Sequence, residues 1–177
     1  MLKKLEIEKL QTGDILHVQR FSPTGIGIAL GTSPFKFLSF KFVPTHTAIA
    51  VRQNGKVYVF ESDYANGVHS EPIESWIKKN KRVRYTPVDA TGYRFFIGNA
   101  ARAMEGLDYE IVTEMLGIPF GLNDRDKDRV FCTEYVYRIY LMATEGDWVS
   151  SKIKNPDNIS PASFAFKVLK DWPMRSE

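Results

Sequence analysis

The chain has 177 residues, 44% of them apolar and 13% aromatic, with 25% charged residues of mixed sign. That is the composition of one folded domain with a sizeable core, and it excludes an intrinsically disordered chain. A net charge of +3 is too small to argue for a polyanion partner, and a single cysteine excludes an intrachain disulfide.

Three histidines and one cysteine form no zinc-type spacing, so neither a metal nor another cofactor is expected. Charged residues break every apolar stretch near the N-terminus, so no signal segment forms, and no run approaches the ~18 apolar residues of a membrane span. The expectation is a cytoplasmic protein, unless a phage or another partner delivers it. The basic run Lys78 to Arg84 reads as a solvated helix end leading into a strand, and no nucleic-acid partner is expected.

Thr12-Gly13-Asp14 is a turn signal, followed by a short apolar strand over Ile15 to Val18. Residues 20 to 44 are irregular, with Pro23, Gly25, Gly27, Gly31, Pro34 and Pro44. They carry Phe35, Phe37, Phe40 and Phe42, aromatics suited to a core edge or to gripping a ligand. Thr45 to Val51 and Val57 to Ser62 then flank Asn54-Gly55, the strongest short-range hairpin signal, because both turn residues must take positive φ. A short helix is predicted over Ser70 to Asn80, a strand over Arg82 to Val88, and a helix over Tyr93 to Glu105 stopped by Gly106. A Gly-, Asp- and Arg-rich loop covers 117 to 129.

Cys132, Tyr135, Val136, Ile139, Tyr140 and Ala143 fall on one stripe of a helix, with Cys132 in its first turn. Ser160-Pro161 caps a last helix through Leu169, ended before Pro173. No linker or repeat divides the chain, so residues 1 to 177 form a single α+β domain, with a small antiparallel sheet packed by the cysteine helix.

The hairpin register turns separate letters into an arrangement. With Asn54 and Gly55 in the turn, Gln53 pairs with Lys56, His46 falls opposite Asp63, and Ala48 opposite Glu61. Alternation then puts His46, Ala48, Ala50, Val59, Glu61 and Asp63 on one face, and Ile49, Val51, Tyr58 and Phe60 on the other. Two alanines leave room for a packed helix, so the cysteine helix is expected to lie on them and bring its thiol toward His46.

A lone buried cysteine is ordinarily a small hydrophobe. A helix N-terminus and a nearby imidazolium both favour the thiolate, however. His46 would then take the thiol proton and pass it to a leaving group, and Glu61 or Asp63 would orient the ring. The backbone N–H of Cys132, at a helix start, is a candidate oxyanion donor. Glu134, in the same turn, suits the helix N-terminus electrostatically. His17 and His69 have no comparable neighbours and read as structural.

Gly13-Asp14-Ile15-Leu16, Thr45-His46-Thr47-Ala48-Ile49-Ala50-Val51, Val59-Phe60-Glu61 with Gly67-Val68, Gly106-Leu107-Asp108-Tyr109 and Phe131-Cys132-Thr133-Glu134-Tyr135-Val136 together resemble the YiiX/YaeF-like permuted papain family. That family belongs to the NlpC-type cysteine peptidases and amidases, and the ordered set is far more specific than any single block. The resemblance implies a permuted papain-like fold with histidine before cysteine, and a hydrolase in which Cys132 is nucleophile, His46 base and Glu61 the third member. It also implies amide-bond cleavage through a thioester, on a peptide or peptidoglycan stem-peptide substrate. The alternatives are acyl transfer or deacylation of a lipid, which the phenylalanine-rich 35 to 42 loop favours, and a binding module that has lost catalysis. Thr133 stands where the family commonly has serine, and residues 20 to 44 have no clear match.

Overall fold

The computed structural model describes residues 4–21, 26, 42–108, 131–146, 148, 160–165, 169 and 172–176. The 117 to 129 loop and phenylalanines 35, 37 and 40 lie outside these residues. Elements follow in the order α1 (Lys4–Lys9), β1 (Ile15–Val18), β2 (His46–Gln53), β3 (Lys56–Asp63), β4 (Gly67–Pro72), α2 (Ile73–Lys79), β5 (Val83–Thr86), α3 (Arg94–Ala103), α4 (Cys132–Ala143) and α5 (Pro161–Ser163). The strands form one antiparallel sheet in the order β4-β3-β2-β1-β5.

The Asn54-Gly55 turn forms as expected, with φ of 49° and 77°, and Gln53 pairs with Lys56. Its ladder stops at Ile49–Phe60, however. Among the described residues, His46 to Ala48 pair only with β1 and Glu61 to Asp63 only with β4. The expected His46–Asp63 and Ala48–Glu61 pairings therefore do not form; β2 and β3 fork apart where the chemistry-bearing residues stand.

Both faces of the sheet are apolar and both are covered. Ile15, Ile49, Val51 and Phe60 join Ile97 and Ala101 of α3 and Tyr135, Val136 and Ile139 of α4 in one buried cluster. Leu16, Ala48, Ala50, Val57 and Val59 join Leu10 and Ile73 and Trp76 of α2 in the other. The expectation that the cysteine helix lies on Ala48 and Ala50 is thus corrected. The room beside two alanines takes the Trp76 indole, and the larger aliphatic face, which needs cover just as much, receives α3 and α4.

The segment expected as a helix from Ser70 begins instead as β4, and α2 starts only at Ile73. Asp63 makes the turn before β4: its Oδ1 accepts from the backbone N–H of Ala65 and of Asn66, each at 2.9 Å. Gly67 closes the turn at φ 63°, and a Cβ added there would lie 2.3 Å from the Leu107 carbonyl oxygen. Backbone, not a flexible side chain, fills that space. Gly67→Ala is expected to destabilise the fold by about 2–3 kcal/mol, read from urea unfolding; a loss below ~0.5 kcal/mol would contradict the close approach.

Helix α3 spans Arg94–Ala103, slightly shorter than expected, with Tyr93 and Met104 as its caps. Of the last helix, Pro161–Ser163 lies within the described residues, whereas 166 to 168 lie outside them. Val88 pairs with Met174 in an isolated bridge, which ties the tail to the end of β5. No helix among the described residues is long and apolar enough to cross a membrane.

Candidate active site

His46 opens β2 and Glu61 sits late in β3, one on each side of the fork, and both side chains are buried. With no ladder between them the two reach across: His46 Nε2 lies 2.5 Å from Glu61 Oε2. Asp63 Oδ1 caps its turn instead, so of the two acids it is Glu61 that hydrogen-bonds the ring.

Arg20, in the irregular segment after β1, donates Nη2 to the same Glu61 oxygen at 3.2 Å and Nε to Asn80 Oδ1 at 3.1 Å. Asn80, the residue after α2, is itself held by donating Nδ2 to the Trp76 carbonyl. Burial pushes the Glu61 carboxyl up, but His46 and the Arg20 guanidinium outweigh it and hold the group down to about 2. An ionised Glu61 can only accept, so His46 Nε2 carries the proton and Nδ1 is left with a lone pair. Burial, then the Arg20 charge, pushes the His46 ring below its ordinary value against the upward pull of Glu61. That direction favours the neutral ring at neutral pH.

Cys132 is fully buried and is the first residue of α4, with extended Phe131 as its cap. The first helical bond runs from Tyr135 N–H to the Phe131 carbonyl at 2.9 Å. The Cys132 Sγ lies 3.8 Å from Thr133 Oγ1. Glu134 is buried in the same turn and pairs with Arg138 one turn on. The structure thus joins His46 to Glu61 directly, and roots Cys132 on the helix that covers the other face of the sheet.

Sequence reasoning passed over Arg20 and Asn80, and read His69 as structural and without comparable neighbours. His69 pairs with Glu61 across β3–β4 and brings Nε2 to 3.7 Å from Glu61 Oε1; recognising β4 was the one signal that would have found it. Arg20 and Asn80 sit in connections that no periodicity marks.

His17 is buried, with Nε2 3.0 Å from Thr86 Oγ1 and no partner for Nδ1 among the described residues. Burial lowers it to about 4. A folded-state pKa below the ordinary 6.5 means the unfolded chain takes the proton first. Stability is then full above pH ~6.5 and falls as pH drops toward ~4, by about 3 kcal/mol from this residue. In His17→Gln, the slope of unfolding free energy against pH over that window should decrease by about 1.4 kcal/mol per unit. An unchanged slope would mean that the ring does not titrate there.

A family model described as "permuted papain-like amidase enzyme, YaeF/YiiX, C92 family" matches residues 9–171. The chain belongs to this family. Its fold accordingly is the permuted papain-like one, and its general class that of the family's papain-like amidases. Among solved structures, the chain is similar to that of metalloprotein YiiX from Escherichia coli O157:H7, with a TM-score of 0.59 and 23% identity, covering 77% of this chain and 68% of that one. No curated protein sequence matches the chain.

Glu61, His69 and Glu71 bring possible metal-ligand atoms within 4.8 Å of one another. Lys79 Nζ, however, sits 2.9 and 2.8 Å from the two Glu71 oxygens, and Glu61 serves His46 and Arg20. These donors are committed to ion pairs, and a cation would have to displace Lys79 and compete with the imidazole.

Proposed function

We propose that this amidase-family chain is a cysteine hydrolase that cleaves an amide bond, with Cys132 as nucleophile, His46 as base and Glu61 as the group that orients the base. The His46 Nε2–Glu61 Oε2 bond carries the reading. It fixes the tautomer that leaves Nδ1 free to accept a thiol proton, which a histidine in a purely structural role has no need of.

Two features favour a meeting of thiol and ring at the fork. The Tyr140 hydroxyl donates to the Gly13 carbonyl and so sets the helix along the sheet. For a helix lying along the strands, the eight residues back to Cys132 cover ~12 Å, and the four residues from Gly13 to His17 cover ~13 Å. By this count Cys132 would stand about level with the His17–Thr47 pair, next to His46 in β2. There the β2–β3 ladder has ended, although β1–β2 pairing continues, and the gap beside His46 favours an approach of the helix N-terminus to the imidazole.

In the reaction the Cys132 sulfur attacks the amide carbonyl while His46 Nδ1 takes its proton, and the imidazolium is stabilised by Glu61. The Cys132 N–H, in the first turn of α4, donates to the oxyanion. The proton passes to the leaving amine, a thioester remains, and water activated by the same ring hydrolyses it. The proposed substrates are peptides, cell-wall stem peptides included.

The test is the rate of iodoacetamide alkylation of the native protein across pH. A thiol reactive well below pH 8 in the wild type and inert in His46→Ala supports the pair. A thiol equally slow in both would leave Cys132 a structural residue.

A further inference from the structure

At the opposite end of β1 from the fork, a cavity of about 580 Å³ opens between the residues leading into β1, the ends of β2 and β5, the start of α3 and the C-terminal tail. Lys9, Arg52, Arg94 and Arg175 line it, together with Tyr85 and Pro87. Three guanidiniums around one hollow repel one another unless they are neutralised, and their hydrogen bonds show which are.

Arg175 is neutralised: its Nη1 and Nη2 bind the two oxygens of buried Asp14 at 3.1 and 2.8 Å. Arg52 is held otherwise, by the carbonyls of Leu10 at 3.1 and 2.9 Å, Glu8 at 2.8 Å and Gly55 at 3.2 Å. Arg94 donates Nη1 to the Thr12 carbonyl at 3.1 Å. A carbonyl fixes a guanidinium in place and leaves its full charge. Among the described residues neither Arg52 nor Arg94 has a carboxylate within ion-pair distance; exposed Asp89 acts on Arg94 only through space, and Glu8 is the one acid in the cavity lining. The lining therefore keeps a net positive excess, with Arg52 and Arg94 unpaired by any carboxylate and already immobilised.

We propose that this cavity binds a small molecule bearing a phosphate group, with Arg94 as its principal contact. Two fixed charges match a dianion better than a carboxylate, and Arg94 has a fork edge still to offer beyond its bond to Thr12. Tyr85 and Pro87 supply a wall for an apolar or planar part of the ligand. The volume suits a ligand of metabolite size. The site is independent of the proposed catalysis, since four residues of β1, ~13 Å of strand, separate it from the fork.

Calorimetric titration at fixed ionic strength tests this, with phenyl phosphate, inorganic phosphate and benzoate as probes. Phenyl phosphate should bind with a submillimolar Kd, inorganic phosphate more weakly, and benzoate at least tenfold more weakly. Arg94→Gln should weaken phenyl phosphate by at least tenfold, and Arg94→Lys, which keeps the charge but not the fork and covers the case of a poorly folding glutamine variant, by several-fold. Amide NMR shifts should centre on Lys9 to Thr12, Arg94 and Arg175. The proposal is overturned by saturation only above 10 mM, by benzoate binding as tightly, by unchanged affinity in both Arg94 variants, or by shifts centred on Arg20 and Lys79 to Arg82.

Discussion

Glu61→Gln is expected to lower turnover by a factor on the order of 10³ to 10⁴ while leaving the fold in place. The amide is isosteric, so β3 and its pairing with β4 have no reason to move. The charge is what disappears. Glutamine can present its own N–H₂ to His46 Nε2, and the ring then prefers the tautomer with the proton on Nδ1, the nitrogen the thiol needs as an acceptor. The imidazolium formed during attack also loses its buried counter-ion, 2.5 Å away in the native site. Arg20 aggravates the loss, because its charge, no longer balanced by Glu61, disfavours a second positive group beside it. Ring ¹⁵N shifts of His46 report the tautomer directly, and the alkylation rate of Cys132 at neutral pH follows the chemistry without any substrate. An Nε2-protonated ring and an unchanged alkylation rate in the variant would show that Glu61 holds the fold and nothing more. Asp63→Asn serves as contrast: its carboxylate caps a turn, so it should cost some stability and leave the tautomer alone.

What the sequence could and could not show follows from the range of the forces involved. The Asn54-Gly55 hairpin and the α4 stripe are written in residues close together, where turn geometry or a 3.6-residue period leaves a local mark. The histidine and glutamate that the resemblance selected are the pair that the structure bonds. Strand β4 left no such mark, because Gly67, His69, Ser70 and Glu71 are poor strand formers and take their conformation from pairing with β3. Nor did α1, six residues long, which is too short for a periodic signal. Alternation told which residues share a face, but not which element covers it. Two apolar faces competed for three helices, and that contest was settled by Trp76 and by Tyr135, Val136 and Ile139, at distances along the chain that no window spans. The fork between β2 and β3 is similarly invisible: a register continues indefinitely on paper, whereas the strands part once each has a better neighbour, β1 for His46 to Ala48 and β4 for Glu61 to Asp63.

Asp14→Ala is expected to destabilise the protein by about 3–5 kcal/mol, the largest loss from any single polar substitution outside the site. The carboxylate is fully buried at the entrance to β1. One oxygen accepts from Gln11 N–H at 2.9 Å and the other from Val88 N–H at 3.2 Å, while Arg175 closes on both. Three segments distant in sequence thus converge on one anion: the turn before β1, the end of β5 and the C-terminal tail. Alanine would leave two backbone donors without a partner in a dry interior and release a guanidinium from its counter-ion, and each of these is costly alone. Loosening should begin at the end of the tail, which keeps the Val88–Met174 bridge and the backbone bonds of Asp89 N–H to the Pro173 carbonyl and of Arg175 N–H to the Pro87 carbonyl, while Trp172 stays packed in the core. Asp14→Asn separates the contributions. An amide oxygen can still accept from one backbone N–H but cannot neutralise Arg175, so its loss should fall between those of the wild type and alanine. Urea unfolding gives the free energies, and hydrogen exchange at Val88 and Asp89 shows whether the tail leaves before the sheet opens. A loss under ~1 kcal/mol in Asp14→Ala, with exchange at those amides unchanged, would mean that the junction is held by the packing around it and not by the buried charge.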